Sequence, residues 1–227
     1  MHLSRLANAA LLLTVLCVAP ARAAGVFARK ATVLTDIYGS SRPMTVSAPD
    51  DSTRAVARFT KGKEDGTLTV YLGVRGGFEF PGGPGAELLW APDSRALAVT
   101  YADSDERMRT AFLVHRKTHG WRRVNLADAV AKVYRVPEGC DKDVAPDVVA
   151  LGWTSGQRLI VAATMLNKAD CPVKGQFTAY FVDVPSGDVL MSLDQRTAQR
   201  RYRAMLGKRL APMRYHRSHH QRSHRAD

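Results

Sequence analysis

The chain has 227 residues, and its 33 Lys or Arg against 21 Asp or Glu give a formal net charge of +12 at pH 7. The charges are unevenly placed: residues 24–194 hold 21 Lys or Arg and 20 Asp or Glu, whereas residues 195–227 hold ten and one. The basicity therefore belongs to a C-terminal appendage, which argues against sequence-specific nucleic-acid binding by the folded body, and about 170 residues are left for one domain with a sizeable core.

The N-terminal segment has the three-part layout of a secretory signal peptide. Arg5 supplies positive charge, Ala9–Val18 form an apolar run too short to span a bilayer, and Pro20–Ala23 offer a small-x-small cleavage site. We predict that the signal is cleaved and that the mature chain is exported, to the periplasm or the medium. The alternatives are a retained anchor and lipidation of Cys17, although Leu16 stands where a lipobox requires a small residue.

Strand patterns dominate the body of the chain. Short β-rich runs alternate with polar or glycine-bearing turns, and several are apolar on both faces, as in strands buried inside a layered β structure. The predicted strands are Arg54–Thr60, Thr67–Gly73, Ala96–Tyr101, Arg109–Arg116, Trp121–Leu126, Arg158–Thr164, Gln176–Val184 and Val189–Leu193. The chain is thus predicted to comprise a signal peptide (1–23), a mostly β, antiparallel domain (24–194) and a basic tail (195–227).

Two segments interrupt the strand pattern. Residues 73–85 are rich in Gly and Pro and are predicted to be a connector, without the glycine spacing of a phosphate-binding loop. Asn125 is a suitable N-cap, and apolar residues recur at helical spacing as far as Tyr134. We predict one short helical insertion over Asn125–Val136, packed on a sheet.

Two cysteines remain after the predicted cleavage, Cys140 and Cys171. In an oxidising compartment a disulfide is the expected state, and closing a loop of about 30 residues stabilises a fold by roughly 3–4 kcal/mol in the chain-entropy model. Free thiols or a metal site are the alternatives, but neither thiol has another Cys or His at ligand spacing. We predict the disulfide, and no metal or cofactor.

The basic tail begins with apolar residues at helical spacing from Ala198 to Leu210, which predicts a basic amphipathic helix. Beyond Pro212 the composition predicts disorder. The cations expected to contact an anionic surface are Arg196, Arg200, Arg201, Arg203, Lys208, Arg209, Arg214 and Arg217. Acidic lipids or polyanionic envelope polymers suit this charge; a solvated tail without a partner and loose metal binding by its histidines are the alternatives.

A short phrase recurs in the body, a polar turn that leads into an apolar strand. Its copies are Ala48–Phe59, Trp90–Thr100 and, more loosely, Trp153–Ala162. Pro presets such a turn, Asp or Ser hydrogen-bonds its backbone, and Trp fills the space between sheets. The phrase predicts three antiparallel units, in which Trp90 and Trp153 belong to the core and the aspartates are turn residues.

This phrase resembles the WD-like repeat of TolB-type β-propellers, in which a Trp-Ser-Pro-Asp-Gly-Lys/Arg turn precedes a strand of the type Leu-Ala-Phe-Thr. Residues 90–100 match it well, 48–59 in part, and 153–162 by Trp, Gly and the strand. The resemblance covers residues 45–194 and implies propeller-like units. Because a closed propeller needs at least four blades, it implies a partial propeller, an open sheet stack, or a ring completed by residues 26–47 or a partner subunit. The chain is also similar to exported bacterial proteins with this turn and a Cys pair, which implies no particular activity.

The sequence assembles no catalytic constellation. His115 and His119 are isolated and are predicted to be structural, and no Ser lies in a G-x-S-x-G elbow. Acidic residues cluster at Asp103–Glu106 and Asp141–Asp147 without the spacing of a calcium loop, and we predict solvated loops there.

We therefore expect a non-enzymatic binding or scaffold module of the cell envelope, with an envelope protein as partner. One alternative is a small-ligand-binding protein or enzyme whose site lies where the repeat loops converge. Another is a peripheral binder of anionic surfaces that acts through the basic tail. A deep pocket with inward-facing polar residues would favour the ligand; a flat sheet or a broad patch would favour a partner.

Overall fold

The structure is a computed structural model that describes residues 25–34, 42–61, 66–73, 76–81, 86–102, 109–118, 120–165, 171–173 and 175–211. Its strands are β1 (Thr32–Val33), β2 (Met44–Ser47), β3 (Arg54–Lys61), β4 (Gly66–Leu72), β5 (Gly77–Pro81), β6 (Glu87–Trp90), β7 (Ala96–Ala102), β8 (Arg109–Lys117), β9 (Gly120–Asn125), β10 (Asp147–Trp153), β11 (Leu159–Thr164), β12 (Phe177–Val182) and β13 (Val189–Asp194). The helices within these ranges are α1 (Leu126–Ala131) and α2 (Gln195–Arg201). No helix in this part of the chain is long and apolar enough to cross a membrane.

The strands form three antiparallel sheets, which confirms the mostly β prediction. Sheet 1 has the order β2-β3-β4-β5, sheet 2 the order β1-β6-β7-β8-β9, and sheet 3 the order β10-β11-β12-β13. Apart from β1, each sheet is a meander of strands that are sequential along the chain. None of the sheets closes into a barrel.

All eight predicted strands are present, but the sequence prediction misses the strand that precedes each repeated turn. These strands are β2, β6 and β10, and each is the first strand of its meander. The connector prediction for residues 73–85 is also wrong in part, because Gly77–Pro81 pair with β4 as the edge strand β5. Alternation explains this strand: Phe80 is buried and Phe78 half-buried in the core, while Glu79 between them is exposed.

The helix prediction is correct at its start and too long at its end. The Asn125 side chain accepts a hydrogen bond from the Ala127 N–H at 3.0 Å, so the predicted N-cap is present. Leu126 and Val130 are buried, but the helix ends at Ala131. Val133 is 46% exposed, and the chain turns away towards the disulfide loop.

The three repeated turns share one backbone geometry. Asp51, Ser94 and Gln157 have φ of 55°, 62° and 59°, and no other non-glycine residue in the described ranges has a positive φ. Each donates its N–H to the carbonyl three residues earlier, at 3.0 Å. Asp50 and Asp93 each accept the N–H two residues later at 3.0 Å, which confirms them as turn residues.

Two tryptophans join the first strands of neighbouring sheets. Trp90 Nε1 donates to the Val46 carbonyl at 3.2 Å, and Trp153 Nε1 donates to the Leu89 carbonyl at 3.3 Å. In both pairs the donor ends the first strand of one sheet and the acceptor lies in the first strand of the preceding sheet. Strands β2, β6 and β10 are therefore held side by side. Trp153 is buried, as predicted, and Trp90 is half-buried against the core.

The sheets are stacked in chain order, with a core in each interface. Sheet 1 packs its Leu68, Val70 and Phe80 face on one face of sheet 2. The other face of sheet 2, with Leu113, packs on sheet 3 and buries α1. The far face of sheet 3, with Phe181, packs against residues from both ends of the described chain.

These two end segments, residues 25–30 and 195–211, form what we name the terminal cap. They run antiparallel, with hydrogen bonds from Arg29 N to Met205 O at 2.8 Å and from Gly207 N to Phe27 O at 2.6 Å. Ala198, Leu206 and Leu210 are buried on sheet 3. The helix predicted as far as Leu210 is too long, because α2 ends at Arg201 and turns follow it. Residues 195–211, which the sequence analysis assigns to the tail, nevertheless contribute side chains to the core.

A buried carboxylate attaches the N-terminal part of the cap to sheet 2. Glu87 in β6 is 2% exposed, and it accepts hydrogen bonds from the N–H groups of Val26, Phe27 and Ala28. Three backbone donors, those of Phe27 and Ala28 buried, are satisfied in this way.

The predicted disulfide between Cys140 and Cys171 is present, with a Cα–Cα distance of 4.4 Å. It links the loop after α1 to the segment that follows β11, and Met165 packs against it. Because the cross-link spans 31 residues, the loop-closure term estimated from the sequence, roughly 3–4 kcal/mol, still applies.

Candidate functional site

The first strands of the three sheets converge on one cavity of about 590 Å³. Its walls come from β2, β6 and β10, from the turns that follow β2 and β6, and from β1 and the terminal cap. The lining residues are Lys30, Thr32, Val46, Ser47, Ala48, Pro49, Asp51, Leu88, Leu89, Trp90, Pro92, Leu151, Gly152, Trp153 and Met205. We name it the central cavity.

The central cavity has an apolar interior and a charged mouth. Val46, Leu88, Leu151 and Trp153 are buried in its walls. Its exposed lining residues are Lys30, Pro49, Asp51 and Pro92, which mark the opening. The cation, Lys30, comes from the terminal cap, and the carboxylate, Asp51, comes from the first repeated turn.

Gly152 in the cavity wall has no side chain and leaves space for Met205 of the terminal cap. Gly152 follows a register shift in β10, and a Cβ built on it would lie 2.7 Å from Met205 Sδ and 2.9 Å from Met205 Cβ. The absence of a side chain at this position therefore makes room for Met205, which lines both the cavity and the cap.

The terminal cap carries a dense positive charge. Six of the eight cations that the sequence analysis singles out lie in its described part and are exposed: Arg196, Arg200, Arg201, Arg203, Lys208 and Arg209. The other two, Arg214 and Arg217, lie outside the described residues. Arg29 and Lys30 are exposed on the paired N-terminal segment, and neither segment of the cap contains Asp or Glu. We name these eight described side chains the cationic surface.

Asp194, the carboxylate that directly precedes α2, makes its hydrogen bond within the first turn of that helix. Asp194 is the N-cap of α2 and accepts the Thr197 N–H at 2.9 Å. This backbone hydrogen bond, with a second one from the Thr197 side chain, lowers the pKa of Asp194 below its ordinary value. Its charge therefore stabilises the first turn of α2.

The structure describes His115 and part of the acidic residues that the sequence analysis singles out, and it places them in separate elements. His115 lies in β8 and is 3% exposed; its burial, and then the charges of Lys117 and Arg122, lower its pKa. The loop prediction is wrong for Asp147, which is fully buried at the start of β10, where it pairs with Thr164. His119 and the cluster at 103–106 lie outside the described residues.

Among the residues that the structure describes, no three His, Cys, Asp or Glu are grouped so that they could hold a metal ion. A second and more open groove of about 870 Å³ lies between sheets 1 and 2. Arg54, Arg116 and Lys117 line it, together with Trp121, and it shares Asp51 with the central cavity.

Sequence reasoning missed the central cavity because it missed β2, β6 and β10. A usable signal was present: Val148–Leu151 and Leu88–Trp90 are apolar runs that end at a repeated turn, the pattern of a buried strand. Comparisons of the chain with protein-family models, with curated proteins and with solved structures found no match.

Proposed function

We propose that this protein is an exported, non-enzymatic binding module of the cell envelope, which attaches to anionic surfaces through its terminal cap. The observation that carries the proposal is the cationic surface, eight exposed cations on two segments without a carboxylate. Buried Ala198, Leu206 and Leu210 attach the longer segment to sheet 3, so the charges are held by the fold.

The architectural part of this proposal is that the three sheets are propeller-like units of the TolB type in an open stack. Its support is the repetition of detail: the same left-handed turn position in each unit, and the same tryptophan hydrogen bond between successive first strands. Export is supported by the signal-like N-terminus and by the Cys140–Cys171 disulfide, which is consistent with an oxidising compartment.

The electrostatic term is large enough to drive attachment. Each Lys or Arg close to an anionic membrane contributes about 1 kcal/mol, and the attraction decreases over a Debye length of about 8–10 Å. Eight such groups on one cap exceed what scattered, charge-balanced residues of the body supply. Binding should therefore be strong at low ionic strength and fall steeply with added salt.

The test is co-sedimentation of the full chain with vesicles of phosphatidylglycerol and phosphatidylcholine, and with vesicles of phosphatidylcholine alone. We expect binding only to the anionic vesicles. The triple variant Arg196→Glu, Arg200→Glu, Arg203→Glu should bind at least about 100-fold more weakly, because three favourable terms of about 1 kcal/mol are lost and repulsion replaces them.

The matched control reverses three exposed arginines of the body, Arg58→Glu, Arg95→Glu and Arg158→Glu, for the same change of net charge. It should retain most of the binding. Equal losses in the two triple variants would show that net charge alone matters, and the proposal for the cap would be wrong. A full chain that binds both vesicle types equally would also refute it.

A further variant separates the cap from residues 212–227. A chain that ends at Ala211 keeps Leu206 and Leu210, whereas one that ends at Leu193 removes part of the core and would confuse unfolding with loss of binding. We expect the chain ending at Ala211 to retain salt-sensitive binding to anionic vesicles.

A further inference from the structure

The central cavity is lined mostly by apolar residues, and the proposed binding through the cationic surface does not account for it. Its deep walls are apolar, and Thr32 and Ser47 are the hydroxyl-bearing residues among those that line it. At about 590 Å³ it has the size of small-molecule sites, which span about 300–1,000 Å³. Both indole N–H groups are already engaged with backbone carbonyls, so the tryptophans offer the cavity mainly hydrocarbon surface.

We propose that the central cavity binds the alkyl chain of a single-chain anionic amphiphile, an alkyl carboxylate, with the carboxylate at the mouth beside Lys30. The apolar walls match the chain, because burial of each methylene is favourable. The carboxylate remains at the opening, where it stays hydrated and close to a cation.

The asymmetry of the mouth fixes the sign of the headgroup. Lys30 belongs to the terminal cap, whose described segments hold eight cations and no carboxylate. Asp51, which also lines the cavity, belongs to a different element, the turn after β2. An anionic headgroup is therefore attracted towards the cap and repelled from the first repeated turn. This site differs from the cationic surface in that it needs a cavity, and the ligand need not belong to a membrane.

The test uses the full chain and a bromine-terminated undecanoate below its micellar concentration, because bromine quenches indole fluorescence on contact. The chain has three tryptophans, and two of them, Trp90 and Trp153, line the cavity. We expect saturable quenching that persists in Trp121→Phe. Across a series of unbrominated alkyl carboxylates used as competitors, each added methylene should tighten binding about fourfold until the cavity is filled.

Variants of the lining separate the cavity from nonspecific adsorption. Ala48→Leu places a larger side chain in the wall and should abolish saturable quenching; Ser47→Leu, at a half-buried position, is the second blocking variant in case the first disturbs folding. Lys30→Gln should weaken binding about fivefold, and Asp51→Asn should strengthen it by a similar factor, since the left-handed backbone there suits Asn. Arg58→Gln, outside the cavity, is the control and should change nothing.

Quenching that does not saturate, or that both blocking variants leave intact, would overturn the proposal. An equal affinity for the bromine-terminated undecanol would overturn the anionic headgroup. The arginine-reversal variant Arg196→Glu, Arg200→Glu, Arg203→Glu distinguishes the two proposals, because it should lose vesicle binding and keep the soluble carboxylate. Loss of quenching by Ala48→Leu with vesicle binding retained is the complementary result, and it supports the cavity as a separate site.

Discussion

At the scale of single residues, a few polar groups determine how the sheets meet. Glu87 satisfies three backbone donors of the terminal cap, and Trp90 and Trp153 each satisfy a carbonyl of the preceding unit. Such groups are costly when buried alone, at about 1–3 kcal/mol for each unmade hydrogen bond. The contacts between sheets are thus specified by hydrogen bonds as well as by apolar packing.

The side chain of His115 is buried, but one of its two ring nitrogens makes no hydrogen bond in the described structure. Within the described structure its Nε2 has no hydrogen-bond partner, and it lies in the interface between sheets 2 and 3. Burial, Lys117 and Arg122 all favour the neutral imidazole and so lower its pKa in the folded state. In the unfolded chain the same side chain titrates near its ordinary value of about 6.5.

This shift predicts an acid-sensitive contribution to stability. As the pH falls through about 6.5, the unfolded chain binds a proton that the folded protein does not, so the free energy of unfolding decreases, by at most about 1.4 kcal/mol per pH unit. Urea unfolding of the wild type and of His115→Leu from pH 8 to pH 5 measures the effect. The difference between the two curves should be flat above pH 7 and widen below it; parallel curves would contradict the prediction.

At the scale of elements, the pairing of the two cap segments is the structure's most non-local contact. Ala28 forms a bridge with Leu206, and Arg209 N donates to Val26 O at 3.0 Å. The approach is close at Gly207, where a Cβ would lie 2.4 Å from the Val26 carbonyl oxygen. Since the obstacle is backbone, a side chain at this position cannot be accommodated by a rotamer change.

We therefore expect Gly207→Ala to weaken the docking of the cap. The strain should lower the free energy of unfolding by about 1–3 kcal/mol, the range found for overpacked sites. Hydrogen exchange at residues 26–29, measured by mass spectrometry, should become faster than in the wild type. Gly156→Ala is the matched control, because a Cβ there meets only Thr154 Oγ1, at 3.9 Å, and it should leave both quantities unchanged.

At the scale of the whole molecule, the two outer faces of the open stack differ in polarity. The far face of sheet 3 is apolar and is covered by the terminal cap. The outer face of sheet 1 is largely polar, and cross-strand pairing places Arg58, Thr69 and Glu79 in one row across it. Tyr71, at 40% exposure, is the large aromatic side chain on that face.

These faces predict that the chain is a monomer. A ring completed by a partner subunit would have to bury the polar face of sheet 1, which lacks the apolar area that stable interfaces need. Sedimentation velocity over a range of protein concentrations should show one species of monomer mass. A dimer that is lost in Tyr71→Ser would place a self-association surface on sheet 1 and contradict the prediction.

Features that depend on neighbours along the chain could be predicted from the amino-acid sequence. Short β-rich runs after each turn, alternating in β3 and apolar on both faces in β7, specify the predicted strands. Asn125 caps α1, and the aspartates close the turns. The disulfide also followed from composition, because only two cysteines remain beyond the signal-like segment. These are local interactions, or choices among very few partners.

Features that depend on partners distant in the sequence became visible only in the folded structure. Strand β2 has four residues and no continuous apolar run, so it gives no strand signal of its own. The tryptophans that join first strands reach across 44 and 64 residues. The basic segment has few apolar residues, and for that reason the sequence predicts an appendage. In the structure Ala198, Leu206 and Leu210 dock on sheet 3. Met205 of this segment and Lys30 of the paired N-terminal segment line the cavity. Burial of an apolar face depends on which surface it meets, and a single sequence does not contain that information.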